Sequence, residues 1–403
     1  MFSRLGFGRR AEECGADCFQ GISAGVEPPQ SLALRAPRFA IVGEGDFSIG
    51  VVLALTFDAG RDDGQTARVM NGRLKMSALS LVCVWLAASA IAADYVEPKV
   101  TINHPEFNGS SGLVAAPFSP GVFYSHNDGT DNRVFAFDKK GRQRGVWRLE
   151  DVKMHDVEEM AWLAVERSYW LMLADTGDNR TPKRNPPDVF HLHFVPLPKP
   201  VEPDGAGTKD VQTIPSRLIR TIPFRYEGGP VDCEAAAVAV GEKGNEVLLI
   251  NKVPRDRAGD GILTTNVYAL TIGSEIRTGR RHVARRILKG MPPLPEQITG
   301  MDMAPDGKRL VIQTYDDAYE FDFEKDWVTT LAKPHSRKIP VRVEPTGHPK
   351  DYTFREAICY ASGALTISPA GLPEHSEEIY ITRELSSWEI ENTKRRTPLW
   401  RIR

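Results

Sequence analysis

The sequence predicts an all-β fold made by repeating one short unit around a ring, and three observations carry that prediction. A small pattern recurs five times between Ser111 and the C-terminus. Each recurrence is followed by short apolar runs rich in β-branched and aromatic residues. No stretch of the repeating region keeps a 3.6-residue period for three helical turns. The pattern opens on an oxygen-bearing residue followed by three small, acidic or apolar positions: Ser111-Gly-Leu-Val, Glu158-Glu-Met-Ala, Glu234-Ala-Ala-Ala, Thr299-Gly-Met-Asp and Glu356-Ala-Ile-Cys. It closes on a polar cluster, after 14 to 17 residues in four of the five: His126-Asn-Asp, Asp175-Thr-Gly-Asp-Asn, Asn251-Lys, Gln313-Thr-Tyr and Thr382-Arg-Glu. Recurrence at 47, 76, 65 and 57 residues is how a β-propeller shows itself in sequence, here one of five blades.

The elements follow in order within each repeat. The opening residues start an innermost strand. A second strand is predicted at 121–125, 169–174, 246–250, 309–313 and 378–382, and a third at 133–137, 189–194, 266–270, 318–323 and 398–402. A fourth follows in four repeats, at 145–149, 218–222, 282–287 and 339–343. The fifth repeat ends after three strands, and 100–103 at the other end of the region is placed to supply its fourth, which would leave no free edge at the seam. Pro- and Gly-rich insertions at 180–187, 196–207, 254–263 and 333–352 account for the long repeats; a sixth blade remains open if one of them hides strands.

Ahead of the repeats the chain reads differently. Arg73-Leu-Lys75-Met76, an apolar run over 79–91 and Ala90-Ile-Ala92 before Asp94 have the three parts of a secretory signal peptide, and the run is short for a membrane span. Such a segment works only at an N-terminus, so translation is expected to begin at Met70 or Met76. Residues 1–75 are then outside the native protein or disordered, 76–93 are the signal peptide, and 94–403 form the propeller. The competing reading is a real N-terminal domain joined to the repeats through a buried apolar segment. After cleavage, 403 − 93 leaves 310 residues with two cysteines, Cys233 and Cys359, too few for a disulfide framework. The expected location is secreted or periplasmic, with no membrane span after cleavage and a monomeric state. A net charge of −2 and no long basic stripe exclude nucleic acid as the expected partner.

In a ring of such blades the five opening residues converge on the central channel. Glu158, Glu234 and Glu356 drawn together repel one another unless a cation lies between them, and Ser111 and Thr299 complete an all-oxygen set. Oxygen donors without sulfur or imidazole suit calcium, and magnesium less well. The plainer alternative is that these carboxylates cap backbone N–H groups or pair with Lys252, Arg355 and Arg383. Asp156 and Asp232, two residues before their glutamates, read as turn residues.

The five clusters would surround the channel on one rim. His126, Asp128, Asp175 and Asp178 are the candidate catalytic groups there. Asn179, Asn251, Lys252, Tyr315, Arg383 and Glu384 are the candidate binding groups for a small polar or anionic ligand. His126 could equally be a hydrogen-bonded structural residue, and Asp175-Thr-Gly-Asp-Asn179 a tight turn in which Gly and Asn take positive φ. There is no Gly-x-Ser-x-Gly elbow, His-Glu-x-x-His helix, phosphate-cradling Gly loop or Cys-x-x-Cys, so serine nucleophiles and zinc hydrolysis are poorly supported.

The runs His155-Asp-Val-Glu-Glu-Met-Ala with Ala174-Asp-Thr-Gly-Asp-Asn179, Asp232-Cys-Glu-Ala with Asn251-Lys252, and Thr299-Gly-Met-Asp with Gln313-Thr-Tyr315 resemble a group of secreted bacterial propeller proteins of unestablished function. That resemblance spans essentially all of 100–403. The order Ser111, Glu158, Glu234, Thr299, Glu356 is also similar to the Ser, Glu, Glu, Ser, Glu channel residues of the calcium-activated nucleotidases, or apyrases. Those are five-bladed propellers with calcium in the channel. The resemblance implies a shared fold and metal site; it does not extend to that family's catalytic motifs. The function expected is either a metal-dependent hydrolase of phosphoesters, phosphoanhydrides or lactones, or a non-catalytic propeller that binds a ligand or protein and uses calcium structurally.

Overall fold

The computed structural model describes residues 39–42, 50–53 and 100–402, except 166, 180–182, 204–209, 242–243, 254–264, 274, 292–293, 295–296, 316, 342–354, 362–377 and 384–395. The chain divides into two compact units, Met1–Lys75 and Met76–Arg403. In the first, β1 (Phe39–Val42) and β2 (Gly50–Leu53) form an antiparallel pair. The expected signal peptide, 76–93, and the start at Asp94 lie outside the described residues.

The described residues of the second unit form strands joined by turns and loops. Helix among its described residues is confined to Trp327–Leu331, capped by the Asp326 carboxylate on the Thr329 N–H, and a 3-10 turn at Ser216–Leu218. After β3 (Val100–Asn103) come β4 (Ser110–Ala115), β5 (Val122–Asn127), β6 (Arg133–Asp138) and β7 (Gln143–Leu149), an antiparallel meander. The second meander is β8 (Val157–Val165), β9 (Ser168–Asp175) and β10 (Phe190–Pro196), followed after β11 (Val211–Ile214) by β12 (Arg220–Tyr226). The third is β13 (Cys233–Gly241), β14 (Gly244–Asn251), β15 (Asn266–Gly273) and β16 (His282–Lys289). The fourth is β17 (Ile298–Met303), β18 (Arg309–Thr314), β19 (Asp317–Asp322) and β20 (Arg337–Pro340). The fifth is β21 (Arg355–Tyr360), β22 (Ile379–Arg383) and β23 (Arg396–Ile402), and β3 pairs onto β23 as its fourth strand.

Two pairings were not legible beforehand. β11 adds to the edge of the first meander as a parallel neighbour of β7, and β12 pairs parallel with β16, joining the edges of the second and third meanders. The fourth strand of the second meander also begins at Arg220, after the 3-10 turn, not at 218.

Every meander is buried on both faces of its first strands, because each faces two neighbours. Five separate apolar layers result. The first and second meanders share one around Trp147, Leu149, Leu171 and Leu173, and the second and third another around Phe190, Phe194, Leu249 and Tyr268. The third and fourth meet at Leu248, Ile312 and Phe321, the fourth and fifth at Val311, Ile358 and Trp400. The fifth and first meet at Phe107, Phe123, Phe137, Cys359 and Leu399. The first strands run side by side in the same order, β4 by β8, β8 by β13, β13 by β17, β17 by β21 and β21 by β4. Small residues permit that approach: a Cβ on Gly112 would come within 2.8 Å of the Met160 nitrogen, and alanines fill β13 at 235, 236, 237 and 239.

Candidate functional site

The pairing between each first and second strand skips one residue near its start. The skips fall between Ser110 and Gly112, Val157 and Glu159, Cys233 and Ala235, Ile298 and Gly300, and Arg355 and Ala357. The residues skipped are Ser111, Glu158, Glu234, Thr299 and Glu356. A β-bulge leaves its extra residue out of the ladder and re-aims its side chain. All five side chains are nonetheless buried, between 0 and 7% exposed.

Around Glu158 the oxygens gather. Carboxylate oxygens of Asp128, Asp156 and Glu158 lie within 4.8 Å of one another, and the Ser111 hydroxyl donates to Glu158 Oε2 at 3.1 Å. Burial, followed by the charges of Glu234, Asp128, Asp156 and Glu356, pushes the Glu158 pKa well above the carboxylate range. The supports are local. The Asp175 carboxylate accepts the N–H groups of His155 at 3.1 Å and Asp156 at 2.8 Å, fixing the turn that carries Asp156. Gly177 N donates to the Asp156 carbonyl and Asn179 N to Asp156 Oδ2 at 3.3 Å. A Cβ on Gly177 would sit 2.2 Å from Glu158 Oε1 and 2.5 Å from Asp156 Oδ2. Gly177 is therefore required by the carboxylates beside it. Its φ is not positive, nor is that of Asn179, which corrects the expected reason for glycine in this turn.

Asp175 is itself held. Burial would raise its pKa, but His193, the Arg184 guanidinium at 2.6 Å and the Asp156 N–H keep it well below the usual range. Arg184 also donates to the Gly177 carbonyl and lies over the Phe190 ring.

On the neighbouring side Glu234 Oε1 meets Lys252 Nζ at 3.0 Å and Asn179 Nδ2 at 3.4 Å. Lys252 also lies 5.2 Å from the Tyr315 ring centroid. Burial raises Glu234 to about 7 despite the pull of Lys252. Burial works against the Lys252 charge, but Glu234, Tyr315 and Glu356 outweigh it and raise its pKa. Several acids thus hold the Lys252 ammonium in its charged form beside Glu234. Tyr315 is pushed up to about 12, first by burial. Glu356 is coupled electrostatically to Glu158, Lys252 and Tyr315. Asp128 and Asp232 also act on Glu234, so its carboxylate links the Glu158 cluster to the Lys252 ammonium.

Other expected site residues are engaged elsewhere. The Thr299 hydroxyl donates to the Arg355 carbonyl at 2.7 Å, and the Asn251 side chain accepts the Asn266 N–H at 2.7 Å. His126 is fully buried, its Nδ1 2.9 Å from the Asn127 carbonyl and its Nε2 pressed toward Gly112; burial lowers its pKa to about 4, leaving a neutral, packed imidazole. The Asp178 N–H donates to Asp232 Oδ1 at 2.8 Å, so Asp232 bridges two turns. Arg383 pairs through its backbone with Arg355, and Glu384 lies outside the described residues.

Two carboxylates that sequence reasoning missed lie one layer further in. Glu159 accepts the N–H of Met160 at 2.9 Å and that of Met301, on β17, at 3.0 Å. Asp302 accepts from Met303 at 2.8 Å and Tyr360, on β21, at 2.9 Å. Burial pushes Asp302 up to about 8 and Glu159 well above the usual range. Their signal was present in Glu158-Glu159 and Thr299-Gly-Met-Asp302, where an acid follows the bulge inside an otherwise apolar strand.

No protein-family model matches the chain, and no curated protein does. Among solved structures it is similar to a candidate 6-phosphogluconolactonase from Bacteroides uniformis ATCC 8492, with 11% identity, a TM-score of 0.29 and coverage of 68% of this chain. The chain spans 64% of that protein's length.

Proposed function

We propose that residues 94–403 form an exported five-bladed β-propeller that binds a divalent cation, calcium in preference to magnesium, at the mouth of its ring. Five meanders, five apolar layers and the serial neighbours of the first strands support the blade count. The observation that carries the metal is the convergence of Asp128, Asp156 and Glu158, with Ser111 beside them, in a pocket where like charges destabilise one another unless a cation intervenes. Carboxylate and hydroxyl oxygens are the donors a hard ion takes. Glu234, Thr299 and Glu356 stand around this set; Glu234 acts through its pair with Lys252.

A cation there supplies Lewis-acid polarisation of a phosphoryl or carbonyl oxygen. Lys252 and Tyr315 are placed to orient an anionic group beside it, Asn179 to donate to a polar one. On this reading the protein hydrolyses a phosphoester, phosphoanhydride or lactone. A second reading, a non-catalytic binding propeller with structural calcium, is favoured by the burial of His126, which takes the expected general base away from solvent.

One experiment separates them: a hydrolysis screen of the purified protein over phosphoesters, nucleotides and lactones, with and without chelator. Chelator-sensitive turnover supports the hydrolase. A chelator-sensitive melting curve without turnover supports the binding propeller. A curve indifferent to chelator, with no bound ion on metal analysis, rejects the cation site. N-terminal sequencing of the exported product tests the proposed cleavage before Asp94.

A further inference from the structure

We propose that Asp175, His191 and His193 form a second metal site, suited to a borderline transition ion such as zinc, on the face of the second meander that packs against the first. It shares no ligand with the Asp128, Asp156 and Glu158 cluster, although Asp175 also holds the turn that carries Asp156, and it does not depend on the hydrolase reading. His191 lies opposite Asp175 in the ladder between β9 and β10, and His193 is two residues on, so all three side chains project from one face. One ligand atom from each falls within 4.8 Å of the others. The imidazoles are stacked, with centroids 5.7 Å apart and planes at 21°.

His193 is 3% exposed, yet its Nε2 has no hydrogen-bond partner and stops 3.8 Å from Asp175 Oδ2. Its other nitrogen, Nδ1, is 2.9 Å from the Thr221 hydroxyl, the kind of outer contact that fixes a ligating ring. A buried nitrogen held beyond hydrogen-bond distance of the carboxylate it faces is the observation that points to a ligand. Asp175 is oriented to match. Its Oδ1 takes the Arg184 guanidinium at 2.6 Å and the Asp156 N–H, while Oδ2 takes the His155 N–H and faces His193.

The same contacts decide which metal. Arg184 offsets the charge of Asp175, so a hard ion, held by anionic oxygen, gains little here. Two imidazole nitrogens supply the affinity, and they suit zinc or copper over calcium. His191 is half-buried, which leaves a way in.

Cobalt(II) reports the site directly in the full-length, metal-free protein. One equivalent should give an intense visible absorption that the hexa-aqua ion lacks, displaced by zinc and unchanged by excess calcium. The band should persist in Glu158→Gln, and binding should weaken at least tenfold in His191→Gln and His193→Ala. If His193→Ala does not fold, His191→Gln, at a half-exposed strand position, carries the test with the wild-type spectrum. A wild-type spectrum no different from the aqua ion, or a band untouched by either histidine change, overturns the proposal.

Discussion

Glu158→Gln should act in opposite directions on the metal-free and calcium-loaded protein. At an effective dielectric of about 20, two like charges no more than 4.8 Å apart repel by at least about 3.5 kcal/mol. Glu158 faces two such neighbours, which together with burial favour its protonated form in the metal-free protein. Glutamine copies that protonated form. The metal-free variant should therefore melt with the wild type near pH 4.5 and increasingly above it as pH rises toward 8. Calcium at a hundred times its dissociation constant stabilises the native wild type by about 2.7 kcal/mol. Losing one of three carboxylates should weaken binding on the order of a hundredfold, which leaves about 0.4 kcal/mol at the same calcium concentration. At about 2 °C per kcal/mol, the calcium-induced shift falls from about 5 °C to about 1 °C. Differential scanning fluorimetry with chelator and with calcium reads both effects. A calcium shift equal to that of the wild type, or a metal-free variant markedly less stable at pH 8, would refute the reasoning.

Three further outcomes follow from neighbouring residues. In chelator, stability should fall as pH rises from about 5 to about 8: Glu158, Glu159, Glu234 and Asp302 all have raised pKa values, so the folded state holds protons that the unfolded state releases from about 4.5 upward. Calcium should flatten that slope, and a metal-free melting temperature that climbs over this range contradicts it. Gly177→Ala, which puts a methyl against both Glu158 and Asp156, should cost about 1–3 kcal/mol and remove the calcium shift; an unchanged shift means those carboxylates are not ligands. Arg184→Met should cost about 3–5 kcal/mol in urea unfolding, since it leaves the Asp175 carboxylate buried without its guanidinium; a loss under 1 kcal/mol means the pair is dispensable.

The strands were readable because each is a short apolar run between polar turns, and the closing role of Val100–Asn103 was readable because the last repeat runs short of one. The five oxygen residues stood out by type and spacing, but nothing in one sequence says that each is a bulge. A bulge is defined against its partner strand. A partner strand also decides which oxygens come together. Asp128 and Asp156, expected as a rim acid and a turn residue, come beside Glu158, whereas Thr299 turns to the Arg355 carbonyl and Glu234 to Lys252. Arg184 lies in what reads as a Pro-rich insertion, and its contact with Asp175, nine residues back, is made through loop geometry that no periodicity encodes. Glu159 and Asp302 were overlooked because a strand-forming pattern treats an inward acid as an error, when here two backbone N–H groups receive each one.

The central claim is that a hard divalent cation binds where Asp128, Asp156 and Glu158 converge. A crystal structure of the protein grown with calcium, with its anomalous signal, tests this most directly. The account predicts one ion at about 2.3–2.6 Å from oxygens of those three side chains, with Lys252 still on Glu234. Well-ordered Asp128, Asp156 and Glu158 side chains with no ion between them at saturating calcium contradict it.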